Sequence, residues 1–408
     1  MKLVQINFSQ NVGSTGKIAE QIGELAIARG WDSYIVSGRQ TNTSKSHSIR
    51  INNRLELLWH IFFTHFADMD GLCSYFATKR LVKQLNKLSP DIVHLHVIHE
   101  SYINYPVLFK YLKEANIPVI WTFHDCWALT GHCPHFDYIV CDKWKTECHN
   151  CPCLKNSKKL EFFIRARSNH QLKKQYFASL EKLTIVPVSS WLEGLVRQSF
   201  LSTKGIFTII NGIDLQVFKP TPSNLRERLN ARGSFVVIGC AANWGKLKGE
   251  DDFLEIARRH PDWRFIMVGI PQSKLYALPQ NVHGVPFTKG QHELAEYYSA
   301  ADVFVNPTYQ EALGLTNVES LACGTPVITY HSGGSPETID SNCGISVERG
   351  DIDALDKAII HIKKLGKKYY SEACIIRAKE HFDKNRKYQE YFTLYNRLLE
   401  NESKNEKV

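Results

Sequence analysis

The chain has no window of about 18 consecutive apolar residues, so no membrane-spanning helix is expected. It has no internal repeat and no low-complexity tract, which excludes solenoids, propellers and linker-like arrays. Zinc-finger, RRM and helix-turn-helix signatures are missing, and nucleic acid is not expected as a partner. The start, MKLVQINFSQ, has too short an apolar run, broken at Asn7, for a signal peptide. It reads as a first β-strand. A cytoplasmic location follows as the expectation, with thiols kept reduced.

What is present is an ordinary globular mix, 43% hydrophobic and 22% charged, which excludes intrinsic disorder, a collagen-like fibre and a small disulfide scaffold. A length of 408 residues predicts two or three domains with separate cores. The net charge of +9 is uneven: residues 1–219 hold 26 Lys+Arg against 17 Asp+Glu, and the remainder is balanced. The densest run carries Lys155, Lys158, Lys159, Arg165, Arg167, Lys173 and Lys174 against Glu161 alone. A solvated helix face explains it. The alternative is attraction to an anionic partner such as a membrane surface or a lipid diphosphate.

Strand-like and helix-like stretches alternate along both halves. LVQINF, DSYIVSG, DIVHLH, PVIWTFH, TIVPVSS and FTIINGID read as strands in the first half, with helices near 17–29, 55–66, 108–114 and 191–198 between them. Pro220 and Pro222 mark a linker. SFVVIGCAAN, WRFIMVG, DVFVNPT and TPVITY then restart the alternation, with helices near 251–259, 292–300 and 317–322. Such βα alternation predicts two parallel-sheet, Rossmann-like domains with a cleft between them. The expected boundaries are 1–219, 220–385 and a terminal helix and tail at 386–408.

Ligands of open parallel sheets bind beyond the carboxyl ends of the strands. At that position the second half carries NPTYQEALGLTNVESLACGTPVI. Glu311 falls in a strand-to-helix loop and Glu319 inside the following helix. Gly314, Leu315 and Thr316 open that helix, offering backbone N–H groups and a positive dipole end to an anion. A phosphate there, with a carboxylate on nearby sugar hydroxyls, makes a coherent sugar-nucleotide site. A capped surface helix is the plainer reading of the two glutamates alone.

EALGLTNVE followed by LACGTPVI, with SAADVFVNPT and IINGIDLQVF, resembles the retaining family 4 glycosyltransferases over nearly the whole chain. The resemblance implies the α/β GT-B fold, two Rossmann-like parallel-sheet domains facing a central cleft, here with a Cys-rich insertion at about 126–153. It implies that Glu311 is catalytic, contacting donor-sugar hydroxyls, that Glu319 meets the nucleotide ribose, and that Gly314, Leu315 and Thr316 contact phosphate. Lys248-Gly249 matches a family Lys-Gly pair. The Arg that should precede it is replaced by Ala242 or Asn243, and Lys246 is the candidate substitute. Gly13 and Gly16 resemble the family's first glycine-rich loop, although any tight β–α turn needs such glycines. His124 resembles the catalytic histidine set against the reacting sugar, with Asp125 expected to fix its tautomer. His99 and Glu100 are candidates to meet the acceptor, while His94 reads as a satisfied strand histidine.

The activity implied is transfer of a hexosyl group from a UDP- or GDP-linked sugar to a saccharide acceptor, lipid-linked, in assembly of O-antigen, capsule or exopolysaccharide, with no organic cofactor and with retention. Metal-dependent donor binding is not expected. Two competitors remain: a sugar-nucleotide-binding scaffold without catalysis, and a metal-dependent hydrolase.

Six of eleven cysteines lie between Cys126 and Cys153. Cys148 and Cys151 have the spacing that lets two thiolates hold one tetrahedral zinc, and Cys133 with Cys141 completes a set of four. His132, His135, His149 and Cys153 are substitutes. Disulfides or plain thiols are the alternatives. The other five cysteines read as small buried hydrophobes. Finally, LELLWHIFFTHF offers an aromatic-aliphatic helix face, either packed in the core or docked on the inner face of a membrane.

Overall fold

The computed structural model describes residues 1–153 and 165–405, with side chains to Glu402. Lys155, Lys158, Lys159 and Glu161 of the basic run lie outside the described residues. The chain divides into two compact units, Met1–Ile209 with Tyr388–Val408, and Ile210–Lys387. The division falls ahead of the Pro220 linker for a local reason. Phe218 is buried in the second core, and Ile213 bridges Asp383 backbone to backbone. Residues 210–219 therefore pack with the second unit.

The first unit is built on one seven-stranded sheet in the order β3-β2-β1-β4-β5-β6-β7. Its strands are β1 (Lys2–Ile6), β2 (Asp32–Ser37), β3 (His47–Arg50), β4 (Ile92–Leu95), β5 (Val119–Phe123), β6 (Leu183–Pro187) and β7 (Gly205–Ile206). Every pairing is parallel. β4 and β5 are buried at every position, as strands covered on both faces must be. FTIINGID contributes no strand: β7 is Gly205–Ile206, just ahead of it, and within it Ile213 forms an isolated bridge. The helix after β1 begins at Gly13 rather than Lys17 and runs to Ala28.

The second unit has a six-stranded parallel sheet in the order β10-β9-β8-β11-β12-β13. Its strands are β8 (Val236–Cys240), β9 (Arg264–Val268), β10 (Val282–Val285), β11 (Val303–Asn306), β12 (Val327–Tyr330) and β13 (Gly344–Val347). One core runs through it, from Val237 and Ile238 on β8 to Phe304 on β11 and Ile328 on β12. Burying each such side chain is worth about 1.5–3 kcal/mol. In both sheets the order reverses beside the first strand, β1 or β8. That is the switch point at which open sheets bind ligands.

Two features depart from what the periodicity favours. Helix Arg54–Ala67 does carry an apolar stripe, but the stripe faces water. Leu55 is 70% exposed and Trp59 62%, and Leu58, Phe62 and Phe66 are exposed beside them. The described part of the basic run is no uniform solvated face either. Arg167 pairs with Glu147 at 2.9 Å, and Lys173 is buried. Three of the scattered cysteines, Cys323, Cys343 and Cys374, are buried as expected, while Cys73 and Cys240 are half-buried.

Candidate active site residues in the two units

In the second unit the site grows from the ends of β8 and β11. After β8 the chain makes a short turn, Lys246–Lys248, and enters helix Glu250–Arg259 through Gly249. Gly249 has φ +68°, and a Cβ there would stand 2.0 Å from the Pro307 carbonyl oxygen. Only glycine fits, and its fit sets the neighbouring Lys248 against the loop that follows β11. Lys248 Nζ lies 2.9 Å from Glu311 Oε2 and donates to the Gln310 carbonyl at 3.3 Å. The cation and the first glutamate thus form one half-buried pair.

The same loop is pinned from behind. Gly333, at φ +54°, donates no side chain to a space where a Cβ would strike the Glu311 carbonyl at 1.8 Å, and Gly334 N–H donates to that carbonyl at 3.1 Å. Gly314 (φ +93°) opens helix Leu315–Ala322 with no side-chain cap, leaving its first N–H groups unused by a capping side chain. Asn317 holds this turn: it accepts from Asn306 Nδ2 at 2.8 Å and donates to Ser335 and Thr338 at 2.9 and 3.0 Å. Leu315 and Thr316 remain half-buried at the helix start. Glu319, one turn in, accepts from the Tyr298 hydroxyl at 3.1 Å.

Lys246 is exposed, close in sequence to Lys248. Trp244, next to the missing Arg position, is committed to the core: it is buried and its Nε1–H donates to the Val268 carbonyl at 2.7 Å. The expectation against metal-dependent donor binding rests on the reading that this half has no Asp-x-Asp; one does occur, Asp351–Asp353, and it serves a helix start, where Asp351 accepts from Ala354 N–H and Asp353 pairs with Arg259.

In the first unit the residues gather beyond β1, β4 and β5. Gly16 is explained by packing, since a Cβ would approach Ser9 Oγ to 2.8 Å. Gly13 differs. It has φ +67°, is exposed, and has no atom within 4 Å of where a Cβ would stand, so the space over this helix start is open.

Three histidines stack across β4 and β5. His94 is fully satisfied, between Tyr395 OH and Thr122 Oγ1, both at 2.7 Å. His96 stacks on His94 and contacts His124, with His96 Nδ1 3.2 Å from His124 Nε2. Hydrogen-bond polarity here follows from Gln5. Its Nε2 donates to the Ala19 carbonyl at 2.8 Å, so its Oε1 must accept from His96 Nε2–H at 3.1 Å. His96 Nδ1 is then an acceptor, and His124 must donate from Nε2. The outward Nδ1 of His124 is left as an acceptor. Burial pushes His124 down to about 4, the nearby Asp125 charge offsetting only part, and pushes His96 well below its ordinary value. Both rings are neutral at pH 7.

Asp125 does not orient His124. Its Oδ2 holds His99 Nε2 at 2.8 Å, and its Oδ1 accepts from Trp127 N–H at 2.8 Å. Burial opposes charge on both partners, yet their mutual attraction wins: His99 is raised and the Asp125 carboxyl is held well below the carboxylate range. Glu100 pairs with Arg39 at 2.8 Å. Gln5, which orders this chain of hydrogen bonds, was not singled out by sequence reasoning; a buried Gln in a strand was its signal.

The insertion 126–153 places Cys133, Cys151 and Cys153 with their sulfurs all within 4.8 Å of one another. The four-cysteine set suggested by spacing is therefore not the group that comes together: Cys153 stands in it, and Cys141 and Cys148 do not. Cys153 lies in the turn that follows Cys151, which brings a third sulfur close to Cys133 and Cys151. Cys148 Sγ instead accepts from Gly131 N–H at 3.2 Å.

Two family models match the chain, one in each half. Residues 16–217 match the model of Glycosyltransferase Family 4, and residues 223–381 match Glycosyl transferases group 1. The putative colanic acid biosynthesis glycosyl transferase WcaC of Escherichia coli is 24% identical over 86% of this chain and 88% of its own length. An alpha-monoglucosyldiacylglycerol synthase of Acholeplasma laidlawii is 26% identical over 70% of each chain. Among solved structures, a sucrose-phosphate synthase from Thermosynechococcus elongatus superposes with a TM-score of 0.71 at 20% identity, covering 97% of this chain and 98% of its own. Matched in both halves and folded as two Rossmann-like units of the GT-B type, the chain belongs to the family 4 glycosyltransferases.

Proposed function

We propose that the chain is a retaining hexosyltransferase that moves a hexosyl group from a nucleotide diphosphate sugar to a hydroxyl of a lipid-linked saccharide, in assembly of a surface polysaccharide. The observation that carries the reading is the Lys248–Glu311 pair beside the uncapped start of helix Leu315–Ala322. It sets a cation and free N–H donors where a diphosphate needs them, and a carboxylate where sugar hydroxyls need an acceptor. In the transfer, the bond from the anomeric carbon to the diphosphate oxygen breaks as that from the acceptor oxygen forms on the same face. The acceptor proton passes to the departing diphosphate. Lys248, with Lys246 in place of the family Arg, balances the charge that develops there. Glu319 binds the ribose. His124, neutral and presenting Nδ1, accepts from a sugar hydroxyl and so orients the ring without acting as a base.

The names of two relatives, one in colanic acid biosynthesis and one making a glucosyl diacylglycerol, support a polysaccharide product and a lipid-borne acceptor. The exposed stripe Leu55, Leu58, Trp59, Phe62 and Phe66 supports peripheral docking on a membrane's inner face, its aromatic side chains entering the headgroup region. A panel of nucleotide sugars, read by thermal shift and by release of nucleoside diphosphate, tests the donor. One sugar nucleotide should stabilise the protein and be turned over, with Glu311→Gln losing turnover while still binding. Turnover unchanged in Glu311→Gln, or a product of inverted anomeric configuration, refutes the reading.

A further inference from the structure

The insertion that follows His124 has almost no regular structure. Its described residues, 126–153, contain three single-turn 3-10 helices, Trp127–Leu129, Asp137–Ile139 and Lys143–Lys145, and no strand. Short segments without a helix or sheet ladder rarely hold one shape unless something cross-links them. Some ties exist. Phe136 packs on buried Trp144, and Lys173 reaches in to donate to the Trp127 and Thr130 carbonyls at 2.7 and 2.9 Å. Toward the end of the insertion, Lys143 donates to the His149 and Asn150 carbonyls at 3.0 and 2.9 Å and Tyr138 bonds to Cys153, contacts from within the insertion itself.

At that end, Cys133 and Cys151 place their sulfurs 3.7 Å apart, with Cys153 Sγ within 4.8 Å of both. No cysteine is in a disulfide, and 3.7 Å is far beyond a sulfur–sulfur bond of about 2.05 Å. It does match the edge of a thiolate tetrahedron: with a metal–sulfur distance of about 2.3 Å, neighbouring sulfurs stand about 3.8 Å apart. The nitrogen donors nearby are otherwise engaged. His132 pairs with the Asp68 carboxylate, and His149 Nδ1 lies 3.0 Å from the Glu147 carbonyl. Sulfur alone is left to converge.

We propose that Cys133, Cys151 and Cys153 hold a structural zinc ion that closes the insertion, with Cys148, which stands outside the close sulfur group, moving in as the fourth ligand when the ion binds. The donor set is all thiolate, which selects a soft, thiophilic divalent ion over magnesium or calcium. Four protein ligands leave no open position, so the ion does no chemistry on substrate. The Gly131 N–H already aimed at Cys148 Sγ is the kind of outer-shell bond that orients a ligating sulfur.

The test uses the full chain purified without chelators, under reductant. Metal content by mass spectrometry should be about one zinc per chain, unchanged in Cys323→Ser and Cys141→Ser and lost in Cys133→Ser and Cys153→Ser. Should those variants fail to fold, the wild-type chain decides. Alkylation of the native protein followed by peptide mapping should spare Cys133, Cys148, Cys151 and Cys153 until zinc is stripped. Exchange with cobalt should also give intense thiolate-to-metal charge-transfer absorption. Three results overturn the proposal: no bound metal with these thiols alkylated in the native state, a Cys133–Cys151 disulfide as the source of protection, or protection of Cys141 in place of Cys153.

Discussion

The neutral, Nδ1-presenting state of His124 is open to direct perturbation. Burial holds the ring at about 4, against about 6.5 in an unfolded chain. A shift of that size is worth about 3 kcal/mol between the two protonation states, an upper figure because the ring is partly open to water. The sign follows from the depressed value. The folded state binds the proton less well than the unfolded chain, so His124's contribution to stability is intact above about pH 6.5. It declines as the pH falls from there toward 4. The tautomer rests on Gln5, 0% exposed, whose Oε1 is the acceptor that orders the relay. Gln5→Leu removes that acceptor and leaves His96 Nε2–H buried without a partner, costing about 1–3 kcal/mol of stability. The bias on the His124 tautomer falls by the worth of one hydrogen bond, about 1 kcal/mol. Nitrogen chemical shifts of labelled histidine, read from pH 3.5 to 8, distinguish the two ring nitrogens. We expect the wild-type His124 to titrate near 4 and carry its proton on Nε2 at pH 7, with Gln5→Leu showing a mixture. A Gln5→Leu protein whose kcat falls several-fold at unchanged donor KM fits a positioning role. An imidazolium at pH 7, or an unchanged tautomer in Gln5→Leu, refutes the relay.

Gly249→Ala should cost at least about 1–3 kcal/mol, because the new methyl meets the Pro307 carbonyl in a left-handed backbone; denaturant unfolding checks this, and donor KM should rise with it. Lys248→Met should lower kcat/KM about a hundredfold or more by removing the cation beside the leaving diphosphate, while Lys248→Arg recovers part of it. Phe62→Ser with Trp59→Ser should abolish co-sedimentation with vesicles containing anionic lipid and leave turnover of a soluble acceptor analogue intact; undiminished sedimentation removes the helix from the docking surface.

The central strands were legible because each is a continuous apolar run that only a sheet covered on both faces explains. β3, β10 and β13 were not. His47–Arg50 is almost entirely exposed, and Val282–Val285 and Gly344–Val347 are short edge strands interrupted by His, Gly or Ser, so no apolar run announces them. Helix Arg54–Ala67 is expected from its aromatic-rich run, but such a run gives an apolar face and not the medium that face meets. In the second unit, the resemblance singled out Lys248 and Glu311 separately, but nothing in the sequence pairs these residues, 63 apart. Neighbourhood in sequence misled at Asp125, which adjoins His124 in the chain but turns its carboxylate to His99. Gln5 lies 91 residues from His96, and no local pattern links them. The cysteine spacing pointed to the loop but not to which of its sulfurs come close, since that depends on how the loop folds in space.

The last residues of the chain, Tyr388 onward, belong to the same unit as the first. Tyr395 and Tyr391 supply hydroxyls to His94 and Thr122 beneath the stacked histidines. In the order of synthesis, the second unit is therefore an intermission: the ribosome makes all of Ile210–Lys387 before it delivers the tyrosines that close the first core. Until then β4 holds a buried imidazole with an unanswered nitrogen. The second unit can fold while the histidine-bearing first unit waits, so a chain cut short near Lys387 should yield a folded second unit attached to an unfinished first one.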